Sequence, residues 1–174
     1  MQMEGKPERE RISQDVFDRV KLKAEAFYSA LEPVNCPYLQ CKVHFNIKGL
    51  DHIKFKEWNK PRVLFDQFQR LKIITVIPQI LNASHTVQGK WNRKEWERQK
   101  KHGRWEKKTR EVVYYEFVAV IENVRAKVIV KEITGNPPFF WTIIPFWRMN
   151  EVTNARILHD ADILKDGNFK DDVE

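Results

Sequence analysis

The C-terminal half of the chain contains three β-rich segments, and their spacing constrains the fold more than any other feature. They are REVVYYEFVAVI (110–121), VRAKVIVKEI (124–133) and FFWTIIPFW (139–147). The pair Glu122-Asn123 separates the first two, and Gly-Asn-Pro-Pro (135–138) separates the last two. Strand-like segments joined by such short turns usually pair with their neighbours in sequence. The pattern therefore predicts an antiparallel meander.

Alternation of side chains along these strands predicts two unlike faces. If Ile121 pairs with Val124, one face carries Tyr115, Phe117, Ala119, Ala126, Val128 and Val130. The opposite face then carries Glu116, Arg125, Lys127 and Lys131. We therefore predict a sheet that is packed on its apolar side and has a charged second side on which a polyanion could lie.

Two helical patterns precede the meander. Apolar residues recur at helical spacing over 16–31, directly after Ser13, which is a good N-cap. A second periodic run starts after Pro61, a residue suited to the first helical turn, and Pro78 kinks or restarts that helix. We therefore expect two helical regions before the sheet.

The predicted fold class is α+β, with N-terminal helices packed on an antiparallel sheet of about four strands. The stretch CPYLQCKVHF (36–45) alternates and is predicted as a strand. Residues 1–149 are predicted as a single domain, with a helical part at 13–82 and a sheet part at 105–147. Residues 150–174 are predicted as an acidic tail, in which NARILHDADIL forms a short helix or stays mobile.

The charge of the chain is unevenly distributed. The formal net charge is +7, but residues 150–174 contain seven acids and three bases, a net −4, which leaves +11 for residues 1–149. A cationic body favours a polyanionic partner, most simply nucleic acid.

The segment 90–110 concentrates this charge, with ten Lys or Arg residues and three Glu. Asn92 as N-cap and Gly103 as a stop indicate a short helix, and a charged excursion between strands is the alternative. Its three tryptophans either stack on nucleic-acid bases or anchor the segment to the body: Trp91, Trp96 and Trp105.

Several protein classes lack support in the sequence. The first residues do not have the order of a signal peptide, and no apolar run approaches the ~20 residues of a membrane helix. We therefore expect a soluble, cytoplasmic protein without a membrane partner. Cys36 and Cys41 are too few for a disulfide framework, which agrees with a reducing compartment.

No cofactor or metal is predicted. The sequence contains no Gly-rich phosphate loop, no G-x-S-x-G and no H-E-x-x-H motif. Four residues that bind zinc in other proteins lie close together, namely Cys36, Cys41, His44 and His52, but their spacing matches no common zinc site.

His52 lies in KGLDHIKFK (48–56), which we interpret as a short strand with His52, Lys54 and Lys56 on one face. Metal-free RNA cleavage needs a base for the 2′-hydroxyl, cations for the phosphorane and an acid for the leaving oxygen. Histidine can fill either proton-transfer role near neutral pH. Lys127, Lys131 and Thr142 from neighbouring strands would complete such a site. The alternative is an ordinary exposed histidine.

Two segments resemble a known family. GLDHIKFK resembles the glycine-led H-I-x-F motif of a phage- and mobile-element-associated nuclease family, and FFWTIIPFW resembles that family's terminal F-W-[ST]-x-I-P strand. The family belongs to the barnase–EndoU–colicin–RelE-like (BECR) superfamily of metal-independent ribonucleases. The resemblance covers roughly Tyr38 to Trp147, and it implies a BECR/RelE-like fold of helices followed by an antiparallel sheet.

The resemblance also implies a set of site residues. His52 becomes a proton-transfer group, Lys131 takes the position of a basic residue, and Thr142 takes the Ser/Thr position of the last strand. If the family requires arginine at position 131, lysine loses the bidentate phosphate contact. We predict substrate contacts from further side chains: Lys54, Lys56, Arg62, Arg70, Arg125, Lys127 and Trp141.

Three functions follow as hypotheses. The first is a metal-independent endoribonuclease, toxin-like or phage-associated, that cleaves RNA by 2′-hydroxyl attack and leaves a 2′,3′-cyclic phosphate. The second is a non-catalytic nucleic-acid-binding protein that uses the basic sheet face and segment 90–110. The third is a partner-binding domain whose charged face receives an acidic antitoxin or immunity protein, or the chain's own acidic tail.

Overall fold

A four-stranded antiparallel sheet forms the centre of the fold. The computed structural model describes residues 12–57, 59–121 and 124–145, together with the backbone of 147–149 and 156–158. The sheet strands are β5 (Gly89–Lys101), β6 (Arg104–Ile121), β7 (Val124–Ile133) and β8 (Phe139–Pro145), in the order β5-β6-β7-β8. The other elements are α1 (Gln14–Ser29), β1 (Val34–Cys36), β2 (Cys41–Val43), α2 (Ile47–Lys54), β3 (Phe55–Glu57), β4 (Lys60–Pro61), α3 (Leu64–Lys72), a 3₁₀ turn (Ile74–Val76), α4 (Ile77–Ala83), β9 (Trp147–Met149) and β10 (Arg156–Leu158). The predicted α+β class and the antiparallel sheet are confirmed.

The predicted register of the meander is also confirmed. Ile121 lies opposite Val124 in the β6–β7 pair, although the turn Glu122-Asn123 lies outside the described residues. The predicted apolar face forms the main core: Tyr115, Phe117, Ala126, Val128 and Val130 are buried, and Ala119 packs against them. The helices α1, α3 and α4 cover this face with Phe17, Leu71 and Ile80, among others.

The predicted helices are present with shifted boundaries. Ser13 caps α1 as expected, since its hydroxyl accepts a hydrogen bond from the Val16 N–H at 3.4 Å. Pro61 does not start the second helical region. It lies opposite Phe55 in the short β3–β4 ladder, so α3 starts only at Leu64. Pro78 restarts the helix as α4, in its first turn.

Two predicted strands are wrong. CPYLQCKVHF is not one strand, because β1 and β2 form a hairpin in which Cys36 lies opposite Cys41. KGLDHIKFK is mostly the helix α2, and only Phe55–Glu57 is extended. Asn46 starts this helix by accepting a hydrogen bond from the Gly49 N–H at 3.2 Å, and Leu50 and Ile53 are buried one turn apart.

The predicted helix in segment 90–110 is wrong as well. These residues form β5 and the first part of β6, joined at His102 and Gly103, whose φ angles are +50° and +79°. Positive φ at both central residues defines the type I′ turn of tight hairpins, so Gly103 serves as a turn residue rather than a helix stop. Because β7 pairs only with 112–121 of β6, residues 94–111 extend beyond the sheet as a two-stranded ribbon, which we call the arm.

The predicted charged face of the sheet is largely buried and partly apolar. Val112, Tyr114, Ile129 and Ile144 form a second apolar cluster on this side. Lys127 is 0% exposed, and its ammonium lies 2.8 Å from the Glu116 carboxylate. The alternation was correct, but the sequence pattern did not reveal that this side is also covered.

The strands β9 and β10 pair antiparallel, with Arg156 opposite Met149. In the predicted tail helix NARILHDADIL, Arg156–Leu158 is therefore extended, and the rest of that prediction lies outside the described residues. Within the part of the chain that the structure describes, no helix is long and apolar enough to cross a membrane.

Close contact with β8 fixes the position of α2. A Cβ atom on Gly49 would lie 2.4 Å from the Phe140 carbonyl oxygen and 2.6 Å from the Tyr28 hydroxyl. The Tyr28 hydroxyl itself donates a hydrogen bond to the Asn46 carbonyl at 2.8 Å. Only glycine permits this approach of helix and strand.

Gly49→Ala should therefore destabilise the protein by about 1–3 kcal/mol, even though alanine is favoured over glycine in helices by about 1 kcal/mol. Urea unfolding measures the change. Ile47→Ala is the matched control, because Ile47 lies in the same helix and is mostly exposed. Equal stability of the Gly49 variant and the wild type would show that the helix can move away from β8 without cost.

Candidate active site

A β-bulge in β8 places Trp141 at the centre of the candidate site. Ile129 lies opposite Thr142, and Val130 lies opposite Phe140, so Trp141 is the extra residue of the bulged strand. A bulge re-aims side chains locally. Phe140 is buried in the main core, whereas Trp141 packs against the second apolar cluster on the other side of the sheet.

His52 stacks on this tryptophan. The two ring centroids are 4.3 Å apart with an interplanar angle of 32°. His52 is 8% exposed and comes from the last turn of α2, the helix that Gly49 seats on β8. The predicted row of His52, Lys54 and Lys56 on one strand face is wrong, because helical geometry separates these side chains.

Lys131 lies next to the same tryptophan. Its ammonium is 4.3 Å from the Trp141 ring centroid and 5.3 Å from the Tyr114 ring centroid, distances at which cation–π attraction operates. The ammonium also lies 2.7 Å from a Glu95 carboxylate oxygen. Burial lowers the pKa of Lys131, and the Glu95 carboxylate opposes that change. His52 and Lys131 are thus linked through one indole ring.

Glu95 and Tyr114 complete this cluster. The Tyr114 hydroxyl donates a hydrogen bond of 2.5 Å to Glu95, and the ring of Tyr114 stacks on Trp91 at 5.5 Å. Burial first, and then the bond to Glu95, raise the pKa of Tyr114, so the phenol keeps its proton at neutral pH. One carboxylate therefore accepts from both a phenol and an ammonium group.

Thr142 belongs to a second group of polar side chains around α3. Arg70 is buried and donates from Nη1 to the Thr142 hydroxyl at 2.9 Å and to the Ile143 carbonyl at 3.1 Å. Arg62 is also buried, and its Nε donates to the His52 carbonyl at 3.0 Å. Two arginines thus tie α3 and the β3–β4 region to the strand and the helix that carry the candidate site.

A cavity of about 230 Å³ adjoins these arginines. Its lining residues are Lys56, Lys60, Pro61, Arg62, Val63, Asp66 and Arg70. Four of them are cationic and one is acidic, so the cavity favours an anion such as a phosphate group.

The predicted site residues divide into three sets. His52, Trp141 and Lys131 come together through the indole ring, and Thr142, Arg70, Arg62 and Lys56 surround or adjoin the cationic cavity. Lys54 instead contacts Glu25 at 3.1 Å and Asp51 at 3.8 Å. Arg125 lies opposite Val120 in the β6–β7 ladder, and Lys127 pairs with Glu116.

The sequence does not identify Glu95 as a site residue, because the pattern of segment 90–110 indicates a helix or a charged excursion between strands. The hairpin folds Glu95 back opposite Arg110 of β6, within reach of Lys131 from β7 on the other side of β6. The available signal was His102-Gly103, since histidine and glycine both tolerate the positive φ of a two-residue turn.

Comparison of the chain with protein-family models, with curated proteins and with solved structures gave no match. Among the described residues, no group of three or more His, Cys, Asp or Glu side chains could hold a metal ion.

The pair Glu95–Lys131 should contribute more to stability than the neighbouring pair Glu97–Arg110. The Lys131 side chain is largely buried, so loss of its partner leaves a poorly solvated charge. A double-mutant cycle with Glu95→Gln and Lys131→Met should give a coupling of about 1–2 kcal/mol. The control cycle at Glu97 and Arg110, whose side chains are more exposed, should give less than about 1 kcal/mol.

The same variants have a pH signature. Because burial lowers the pKa of Lys131 in the folded state, the unfolded state binds this proton more tightly, and stability rises with pH between the folded and unfolded pKa values. Glu95→Gln removes the opposing carboxylate and lowers the pKa of Lys131 in the folded state further. The stability of this variant should therefore begin to rise at a lower pH than that of the wild type. Identical pH profiles in urea unfolding would contradict the assigned contact.

Proposed function

We propose that this protein is a metal-independent endoribonuclease with a BECR/RelE-like fold. The observation that carries the proposal is the stacking of His52 on Trp141, whose ring also contacts the Lys131 ammonium. A proton carrier, an aromatic surface and a buried cation thus meet at one point of the sheet. The order of elements, helices before an antiparallel meander, agrees with the proposed fold.

In the proposed reaction the 2′-oxygen of RNA attacks the adjacent phosphorus, and the P–O5′ bond breaks. The 2′-hydroxyl proton passes to a base, an acid protonates the leaving 5′-oxygen, and the products are a 2′,3′-cyclic phosphate and a free 5′-hydroxyl. His52 transfers one of these protons. Glu95, a carboxylate 2.7 Å from Lys131, is the candidate for the other.

Cations stabilise the dianionic phosphorane in this proposal. Lys131 contributes from the sheet, where cation–π contacts hold its ammonium. Arg70 lines the cationic cavity, where it can hold a neighbouring phosphate, and the fully buried Thr142 hydroxyl accepts a hydrogen bond from Arg70 and positions its guanidinium group. Trp141 holds the His52 ring and the Lys131 ammonium beside one another near the scissile nucleotide.

The proposal extends to the setting of the protein. A toxin-like or phage-associated ribonuclease of the cytoplasm would act on cellular RNA. Its activity would be controlled by an acidic antitoxin or immunity protein, for which the cationic cavity and the arm are complementary surfaces.

Cleavage of a fluorescent single-stranded RNA in excess chelator tests the proposal. The wild type should cleave it, and His52→Ala should lower the rate by about 100-fold to 10,000-fold, the usual range for loss of a proton-transfer group. An RNA with a single 2′-deoxy nucleotide at the cleaved position should stay intact. Mass spectrometry of the product should detect the cyclic phosphate.

His85→Gln is the matched control, because His85 is exposed and lies between α4 and β5. It should cleave like the wild type. Thermal unfolding of each variant separates loss of chemistry from loss of fold. Intact RNA after prolonged incubation with the folded wild type, or full activity of a folded His52→Ala, would rule out the proposed mechanism.

A non-catalytic nucleic-acid-binding protein is the second candidate function. The arm favours it, because its sixteen strand residues include eight lysines and arginines against four glutamates. The basic sheet face contributes less than predicted, since Lys127 is buried. This candidate predicts salt-dependent affinity for RNA that remains intact.

A further inference from the structure

The two faces of the arm differ in composition. Side chains alternate along a strand, and the register of β5 against β6 assigns each residue of the arm to one face. The arm extends by about seven residue steps, or roughly 24 Å at strand rise, past the end of β7 pairing. Each face is thus long enough to contact several nucleotides.

The first face is continuous with the candidate active site and is mostly neutralised. It carries Glu95, Glu97 and Glu106 together with Lys101, Arg104, Lys108 and Arg110. Glu95 is bound to Lys131, and Glu97 is bound to Arg110. Three carboxylates against four cations leave this face with little net charge.

The second face, which we call the tryptophan face, has the opposite character. It carries Lys94, Trp96, Arg98, Lys100, Trp105, Lys107, Thr109 and Glu111. Four cations here face a single carboxylate, so most of the excess charge of the arm lies on this side. Every one of these residues is exposed.

The two tryptophans do not serve the core. Trp96 is 74% exposed and Trp105 is 69% exposed, and neither belongs to the two hydrophobic clusters. An anchoring role requires burial, which Trp91 has to a much larger degree through its stack on Tyr114. Aromatic residues are enriched at binding interfaces, so a binding role is the better explanation for two exposed tryptophans on one face.

We propose that the tryptophan face binds single-stranded RNA, with bases stacked on Trp96 and Trp105 and phosphates held by the four cations. Aromatic platforms between cations are the usual means of binding single strands, because stacking needs unpaired bases. A duplex covers its base faces, and an apolar protein partner would leave the cations uncompensated. The inference rests on the proposed function only in its choice of RNA.

The spacing of the two indoles fits separate bases. Trp105 lies opposite Lys100, which is four residues from Trp96, so their positions are about 13 Å apart along the arm. Adjacent bases in a stacked strand are only about 3.4 Å apart. Each tryptophan therefore receives its own base, and the cations between them, Arg98 and Lys107, lie opposite each other where the connecting phosphates pass.

Fluorescence anisotropy with a 2′-O-methyl oligouridine of twelve nucleotides tests the proposal. This probe lacks the attacking 2′-hydroxyl, so its binding is independent of cleavage. Trp96→Ala and Trp105→Ala should each raise Kd by about 5-fold to 100-fold, the range for loss of one stacked base. Trp96→Phe, which keeps an aromatic surface, should recover most of the affinity.

Matched charge variants on the two faces test the role of the cations. Arg98→Gln with Lys107→Gln should reduce the slope of log Kd against log salt by about 1.4, corresponding to two phosphates of a single strand. Arg104→Gln with Lys108→Gln removes the same charge from the opposite face and should leave the slope nearly unchanged. All four positions are exposed, and thermal unfolding verifies that the variants fold.

Several outcomes would overturn the inference. Unchanged Kd in both tryptophan variants, equal slopes for the two charge pairs, or tighter binding of a hairpin duplex than of the single strand would each exclude it. A dimer of the wild type in sedimentation that dissociates in Trp96→Ala would identify the face as an interface between two copies of the chain instead.

A dinucleotide substrate separates this inference from the proposed function. It is too short to reach from the candidate active site along the arm, so the tryptophan variants should cleave it at the wild-type rate, whereas His52→Ala should not. Binding of the 2′-O-methyl oligouridine by a folded wild type that cleaves neither the dinucleotide nor the fluorescent single-stranded RNA would support RNA binding by the tryptophan face and would exclude the ribonuclease. Cleavage of RNA by the wild type, together with unchanged oligouridine binding in the tryptophan variants, would support the ribonuclease and would exclude RNA binding by the tryptophan face.

Discussion

The candidate active site depends on the seating of α2 against β8. Gly49 lets the helix approach the Phe140 carbonyl to a distance that any side chain would prevent. Backbone hydrogen bonds extend the contact, since the His44 N–H donates to the Pro138 carbonyl at 3.0 Å and the Phe140 N–H donates to the His44 carbonyl at 2.8 Å. This arrangement also covers part of the open edge of the sheet, where an exposed strand could recruit another chain.

This contact between α2 and β8 explains why His52 and Trp141 meet. His52 lies three residues after Gly49, in the last turn of α2, so the position of that turn follows from the glycine contact. The bulge in β8 then brings Trp141 to the side of the sheet on which Tyr114 and Lys131 lie. A helix register and a strand irregularity, each set locally, together form a stack that neither segment contains by itself.

The sequence predicted the meander well because its signal is strong. Alternation in β6 and β7 gave the correct register and the correct core face, down to the pairing of Ile121 with Val124. The strand predicted at KGLDHIKFK was wrong, because a lysine-rich stretch matches the two-residue alternation of a strand through its composition alone. The opposing signals, an Asn46 cap and apolar residues one turn apart, are short, and only packing on β8 makes them decisive.

The helix predicted in segment 90–110 was wrong for a related reason. In segment 90–110 both faces are polar, so neither period appears in its hydrophobicity, and Gly103 suits a helix end and a hairpin turn equally well. Pairing with β6 decides between them, and that contact is distant in sequence for every residue except those at the turn. The partnership of Glu95 with Lys131 could not be predicted without it.

The geometry of β5 links the two proposed sites. Glu95 and Trp96 are adjacent in sequence, and their side chains lie on opposite faces of the arm, one bound to Lys131 and the other in solvent. In the proposed complex, a base stacked on Trp96 would therefore contact the residue next to this carboxylate. Because Lys131 is desolvated and its ammonium is paired with Glu95, the position of this carboxylate affects the electrostatic balance beside Trp141. The proposed RNA contact at Trp96 and the proposed proton-transfer group Glu95 thus belong to residues joined by a single peptide bond.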